Sequence, residues 1–127
     1  MSLRQYFRAI SLALTAAAVM GATIAATAPA VPAKGDAAAG KAIFTVKCIA
    51  CHKKDGTGGF KVTGNPTPNW TLKKTWDATR TDAFLRDCIT NGKLKSGMVA
   101  WGKTGQVKPA QVEDLIAYIK IFKAAAK

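Results

Sequence analysis

The chain has 127 residues, 49% of them hydrophobic, and a formal charge of +12, because 19 lysines and arginines face seven acidic residues. Such a length fits one domain behind a leader and leaves no room for a second domain. The basic charge favours anionic membrane surfaces and acidic proteins as partners. Nucleic acid is excluded as a partner because the leader described next marks an exported protein.

Residues 1–33 have the layout of a secretory signal peptide. Arg4 and Arg8 give a positive start, and residues 9–28 are uncharged and rich in alanine. The small residues that follow predict cleavage after one of three positions, Ala28, Ala30 or Ala33. The alternative is an uncleaved membrane anchor, since about 20 apolar residues can cross a bilayer. Both interpretations place the remaining domain, residues 34–127, in the periplasm or a comparable compartment such as a thylakoid lumen.

The domain that remains after cleavage at Ala33 is small and basic. It keeps 17 of the 19 lysines and arginines and all seven acidic residues, which is a formal charge of +10. A chain of this size buries only about 60–70% of its unfolded surface, so a centrally packed cofactor would enlarge its core. The alternative for the lysines is that they are scattered and only keep the protein soluble.

The first predicted helix begins after Asp36, a favourable N-cap, and runs to Lys47. Gly40, Ile43 and Phe44 recur at spacings of three and four, which is the helical period. Because a glycine inside a helix costs about 1 kcal/mol relative to alanine, Gly40 indicates a close crossing with another helix.

The helix leads directly into the motif Cys48-Ile49-Ala50-Cys51-His52. The C-x-x-C-H spacing lets both thiols add to the vinyl groups of one haem, with the histidine as an axial ligand of the iron. A zinc site that adds Cys88 is the main alternative, but two consecutive ligands make tetrahedral geometry awkward. A thioredoxin-like redox pair would need a βαβ pattern, which the sequence lacks.

Residues 53–75 show little periodicity and are rich in glycine, proline and asparagine turn signals. A loop of this length without structure of its own is unusual in a compact domain unless it wraps something. Here we expect it to wrap the haem.

Thr81 is predicted to cap a second helix that ends near Thr90, with Asn91-Gly92 as its stop. Cys88 lies on the apolar face of this helix. A buried free cysteine usually behaves as a small inert hydrophobe, and the alternative is a surface thiol that pairs between chains.

Met98 is the only methionine outside the leader. It lies in a glycine-flanked loop from which its flexible thioether could reach the iron as the sixth ligand. Histidine and methionine together raise the reduction potential and close both axial positions, which predicts electron transfer and no catalysis.

A final helix is predicted to start at Pro109, which suits a first helical turn. Its regular apolar stripe consists of Val112, Leu115, Ile116, Ile119 and Phe122. No strand pattern and no internal repeat are found.

Taken together, residues 34–127 resemble a class I, single-haem bacterial cytochrome c over nearly their whole length. Residues 35–44 followed by Cys48–His52 resemble the opening helix and haem turn of that family. Residues 98–102, Met-Val-Ala-Trp-Gly, resemble its methionine loop, usually Met-Pro-x-aromatic-Gly, and residues 107–122 resemble its closing helix. The resemblance implies a small all-α fold with about three main helices wrapped around one covalently attached haem c.

The same resemblance carries residue-level implications. Gly40 and Phe44 are expected to cross the final helix near Tyr118.

At the haem, a proline carbonyl is expected to accept the proton of His52. Pro68 matches this role best and Pro66 is second. Val99 departs from the family, because it stands where the methionine loop usually has proline.

The sequence therefore predicts an exported, monomeric electron carrier, not an enzyme, that shuttles single electrons between larger redox proteins. Cys48 and Cys51 would hold the haem, His52 and Met98 would bind its iron, and lysines near the haem edge would steer an acidic partner. One alternative is a five-coordinate haem protein that binds NO, CO or O2. Another is a membrane-anchored subunit, facing the periplasm, of a respiratory or dehydrogenase complex.

Overall fold

The computed structural model describes residues 34–127, so the predicted signal peptide lies outside the described residues. The helices of this part are α1 (Ala37–Lys47), α2 (Ile49–His52), α3 (Asp82–Asn91) and α4 (Pro109–Ala125), with short 3₁₀ turns at Lys73–Thr75 and Leu94–Ser96. Within this range the only β-type pairing is an isolated bridge between Lys93 and Met98. The all-α prediction is confirmed: α1, α3 and α4 are the three main helices, and α2 is a single turn.

Helix α1 begins where the sequence predicted. The Asp36 carboxylate accepts hydrogen bonds from the backbone N–H groups of Ala38 at 2.7 Å and Ala39 at 3.4 Å. The Asp36 N–H in turn donates to Oδ1 of Asp114 at 2.8 Å, which ties the start of α1 to α4. The cap therefore also positions one helix against the other.

Helices α1 and α4 cross at Gly40, as predicted. A Cβ atom at Gly40 would collide with the backbone carbonyl of Asp114, so only glycine allows this approach. Phe44, 1% exposed, packs its ring edge-on against Tyr118 at 5.2 Å between centroids. This crossing forms one side of the core.

Helix α3 packs on α4 and completes the core. The Thr81 hydroxyl caps α3 by accepting from the Phe84 N–H at 3.2 Å, and the Arg86 guanidinium binds the Glu113 carboxylate of α4 through two hydrogen bonds. Cys88 is buried on the inner face of α3, as expected. The core cluster comprises Phe44, Trp70, Leu85, Ile89, Val107, Val112, Leu115, Ile116 and Ile119.

The loop between α2 and α3 is irregular but firmly attached. Its Thr67 hydroxyl donates to the Cys51 carbonyl at 2.8 Å, and the Lys73 N–H donates to the Lys127 carbonyl at 2.9 Å.

In the part of the chain that the structure describes, no helix is both long and apolar enough to span a membrane.

Candidate haem site

A cavity of about 210 Å³ opens on one side of the core. Its walls include apolar side chains from three helices and the methionine loop, namely Phe44, Leu85, Ile89, Trp101, Leu115 and Ile119. All the site residues predicted from the sequence line this cavity: Cys48, Cys51, His52, Pro68 and Met98. The fold thus brings together residues from both halves of the domain.

The helical turn of α2 presents both motif cysteines on one side. The N–H groups of Cys51 and His52 donate to the Cys48 carbonyl at 3.2 and 2.9 Å, which closes the turn. Residues three apart in a helix share a face, so Cys48 and Cys51 both line the cavity. Burial raises the pKa of the Cys48 thiol to about 11 against the opposing effect of Lys47, so this sulfur stays protonated at neutral pH.

His52 is buried at the end of the same turn and is 8% exposed. Burial lowers its pKa to about 4, so the imidazole is neutral at pH 7 and keeps a lone pair for a metal. The ring stacks on Trp70 with 4.5 Å between centroids and 6° between planes.

The hydrogen bond expected from His52 to the Pro68 carbonyl is not formed in the structure. His52 Nδ1 is buried and has no partner among residues 34–127. Pro68 does line the cavity, but its carbonyl oxygen lies against Gly58, where an added Cβ would collide with it. Pro66, the second choice, also lines the cavity. The proline stays near the site without making the expected contact.

Met98 reaches the cavity from a loop that is fastened to the end of α3. Lys93 and Met98 exchange two backbone hydrogen bonds of 3.0 and 3.1 Å. Gly97, at a φ of 80°, makes the reversal that a side chain would strain. Val99 is 40% exposed, and the Trp101 N–H donates to its carbonyl at 3.1 Å. The loop is therefore held by its backbone, without the proline usual in the family.

Two residues of the cavity wall, Trp70 and Arg80, were not predicted from the sequence as part of the site. In the described part of the chain, the buried side-chain nitrogens without a hydrogen-bond partner are His52 Nδ1, Trp70 Nε1 and Arg80 Nε, and all three residues line the cavity. Buried donors in folded proteins nearly always have partners, so these atoms indicate a polar ligand in the cavity. In the sequence, nothing marks Arg80 as a site residue except its position next to the Thr81 cap, and nothing marks Trp70 except its position after a proline-rich turn.

Together these residues fit a haem. The apolar walls suit a macrocycle, the two thiols suit its vinyl groups, and the neutral imidazole and thioether suit its iron. The Arg80 guanidinium suits a carboxylate, since it forms no ion pair within residues 34–127. The zinc alternative is not supported, because the described residues hold no group of three or more His, Cys, Asp or Glu side chains that could bind a metal ion.

Comparison with known proteins gives one family match and two informative relatives. Residues 35–119, which include every cavity-lining residue, match the family described as cytochrome C oxidase, cbb3-type, subunit III. The Cbb3-type cytochrome c oxidase subunit FixP of Bradyrhizobium sp. (strain ORS 278) is 37% identical over 87 residues, which is 66% of this chain but only 27% of that protein. Cytochrome c6 of Limnospira maxima is 36% identical over 92 residues, 67% of this chain and 91% of that protein. No solved structure matches significantly.

Proposed function

Since the chain belongs to this cytochrome family and is a class I c-type cytochrome with covalently attached haem c, we propose that it carries single electrons between larger redox proteins. Cys48 and Cys51 hold the haem, and His52 and Met98 bind its iron. The observation that carries this proposal is that all four side chains line one cavity, although His52 and Met98 are 46 residues apart in the sequence.

Haem c supplies an iron that takes up and releases one electron. His52 contributes a neutral imidazole, because its burial keeps the pKa far below 7. Met98 contributes a thioether from a loop held by two backbone hydrogen bonds. If His52 and Met98 both bind the iron, protein side chains would close it to a substrate. The apolar walls limit the access of water, which is one of the levers by which a protein tunes a redox centre.

Attachment uses the two thiols of the motif. Each cysteine S–H would add across one vinyl C=C bond, so that sulfur bonds to one carbon and hydrogen to the other, with no oxidant required. Cys48 and Cys51 are both free thiols in the structure, and the α2 turn presents them on one side.

Arg80 is the residue we assign to a haem propionate. Its Nε is buried in the cavity wall without a partner, and its guanidinium lies over the Phe84 ring, 5.6 Å from the centroid. A charge-assisted hydrogen bond to a carboxylate would satisfy this donor.

The partner that this charge distribution favours is an acidic redox protein. The domain carries a formal charge of +10 after removal of the leader, and Lys47 and Lys93 line the cavity itself. A field of this sign attracts acidic proteins, and anionic membrane surfaces as well. The same high charge disfavours self-association, which supports a monomer.

The test of the electron-carrier proposal is the absorption spectrum of the purified protein, oxidised and then reduced under carbon monoxide. We expect a low-spin haem with a methionine-to-ferric-iron charge-transfer band and no response to carbon monoxide. A high-spin haem that shifts with carbon monoxide would contradict Met98 ligation and favour the gas-binding alternative. A protein without haem would overturn both.

A second candidate function is that of a cytochrome subunit tethered to a membrane oxidase complex. The family match and FixP favour it, although this chain spans only 27% of FixP. N-terminal sequencing and membrane fractionation separate the candidates. A mature protein that starts near Lys34 and stays in the periplasmic fraction is the free carrier, whereas an intact leader in the membrane fraction identifies the tethered subunit.

A further inference from the structure

The rings of Trp70 and His52 form the most closely spaced aromatic pair among residues 34–127. Their centroids are 4.5 Å apart and their planes differ by only 6°, whereas the next closest pair, Phe44 with Tyr118, is edge-on at 5.2 Å. Aromatic side chains more often meet offset or edge-to-face. A nearly parallel contact at this distance restricts rotation of the imidazole, because any turn of its plane would press one edge into the indole.

Trp70 is itself firmly held, so it can act as a fixed surface. It is 5% exposed, its N–H donates to the Gly56 carbonyl at 2.8 Å, and its carbonyl accepts from Trp76 Nε1 at 2.8 Å. On its sides, the rings of Phe44 and Phe122 lie 6.0 and 5.9 Å away. The indole therefore cannot turn without disturbing the helix crossing.

Within residues 34–127, the His52 ring makes no hydrogen bond that would set its plane instead. Nδ1 has no partner among the described residues, and the Phe44 ring is 6.5 Å away and tilted by 44°. Metal-binding histidines usually owe their orientation to a hydrogen bond from the second ring nitrogen. In this protein the stack on Trp70 is the contact available for that task.

We propose that Trp70 is a positioning residue that sets the plane of the His52 imidazole and thereby tunes the electronic state of the haem iron. The inference rests on the proposed role of His52 as an axial ligand. The plane of an axial imidazole determines how its π orbitals overlap the iron d orbitals, and this overlap distributes unpaired spin over the ferric haem. Trp70 stacks on His52 and sets the imidazole plane through that contact.

The test compares Trp70→Phe and Trp70→Leu in the holoprotein by proton NMR of the ferric state. The haem-methyl resonances report the imidazole plane, which a general loss of stability would not rotate. We expect Trp70→Leu to change the order and spread of these resonances, and Trp70→Phe to keep them near the wild-type pattern because phenyl can still stack. Tyr118→Leu is the matched control: it removes a ring that pairs with Phe44 and Phe122 but with neither Trp70 nor His52, so we expect the wild-type pattern.

A wild-type pattern in Trp70→Leu would overturn the proposal, and so would a departure in Trp70→Phe as large as in Trp70→Leu. If Trp70→Leu does not mature, nuclear Overhauser contacts between indole and imidazole protons in ferrous wild-type protein decide, and their absence would overturn it. The proposed function fails separately: His52 protons without the large ring-current shift of an axial ligand would show that His52 does not bind the iron.

Discussion

At the residue scale, the site depends on side chains whose chemistry or position is set by their surroundings. Burial keeps the His52 imidazole neutral and the Cys48 thiol protonated. Met98 is held in place by its backbone pairing with Lys93. Arg80 and Trp70 add buried donors that have no partner in the described protein. Single substitutions can therefore distinguish the proposed iron ligands, His52 and Met98, from the residues that surround them, such as Arg80 and Trp70.

Met98→Ala should convert the haem to a five-coordinate or water-ligated form, because residues 34–127 contain no second methionine, and no histidine besides His52, that could replace the thioether. We expect loss of the charge-transfer band, binding of carbon monoxide to the reduced protein and a lower potential. Met98→His is the control: a second imidazole should restore the low-spin spectrum while the potential stays low. A Met98→Ala protein with an unchanged spectrum would show that the sixth ligand lies elsewhere.

Arg80→Gln should leave a propionate without its cation. Hydrogen bonds to charged groups contribute about 1.5–3 kcal/mol, so we expect a fall of that order in the free energy of unfolding of the holoprotein. Resonance Raman spectroscopy should also show a shift of the propionate bending mode.

Lys41→Gln is the matched control for Arg80, because it removes one positive charge from the exposed side of α1, away from the cavity. It should change neither the stability nor the Raman mode. Equal effects of both substitutions would mean that only net charge matters and that Arg80 does not contact the propionate.

At the element scale, the crossing of α1 and α4 positions the motif. Gly40 lets the two backbones touch. The Cys48 N–H donates to the Phe44 carbonyl, which connects the end of α1 directly to the α2 turn at the cavity. Helix α3 supports the methionine loop from the other side. His52 lies on α2 and Met98 lies in a loop attached to the end of α3, so the distance between them depends on how α1, α3 and α4 pack.

Gly40→Ala should weaken this crossing. The added Cβ meets backbone of α4, which cannot move aside as a flexible side chain could. Overpacking of this kind typically costs about 1–3 kcal/mol, and thermal unfolding of the holoprotein measures it.

Ala42→Leu serves as the control for Gly40→Ala, because it enlarges an exposed position of the same helix. Surface changes of this type usually stay within about 0.5 kcal/mol. If Gly40→Ala were as stable as Ala42→Leu, the two helices would not be in backbone contact at this point.

At the scale of the whole molecule, charge and size determine how the protein meets its partners. Residues 34–127 carry seventeen lysines and arginines against seven acidic residues. Exposed charges act over about 10 Å at 0.1 M salt, so the field extends beyond the contact surface. The basic charge is therefore expected to influence the rate of encounter more than the strength of the complex.

Electron transfer with an acidic redox protein should slow as salt is added. Electrostatic steering raises association rates by about 10- to 1,000-fold, so we expect at least a tenfold fall in the second-order rate between low and high ionic strength. Stopped-flow measurement of haem oxidation gives this rate. A neutral small-molecule oxidant is the control and should show little change. A flat salt response with the acidic protein would remove the role assigned to the lysines.

The sequence by itself determined what is encoded locally. The Cys48–His52 spacing specifies the haem chemistry, and the Asp36 and Thr81 caps, the start at Pro109 and the helical periodicity specify the three main helices, because these signals act within a few residues. Only the tertiary structure decided which distant side chains meet. It placed Met98 in the same cavity as His52, stacked Trp70 on His52 and put the buried Nε of Arg80 in the cavity wall, and it does not form the expected hydrogen bond from His52 to Pro68. Such contacts depend on how helices and loops pack across long sequence separations, and no periodicity or spacing records that packing.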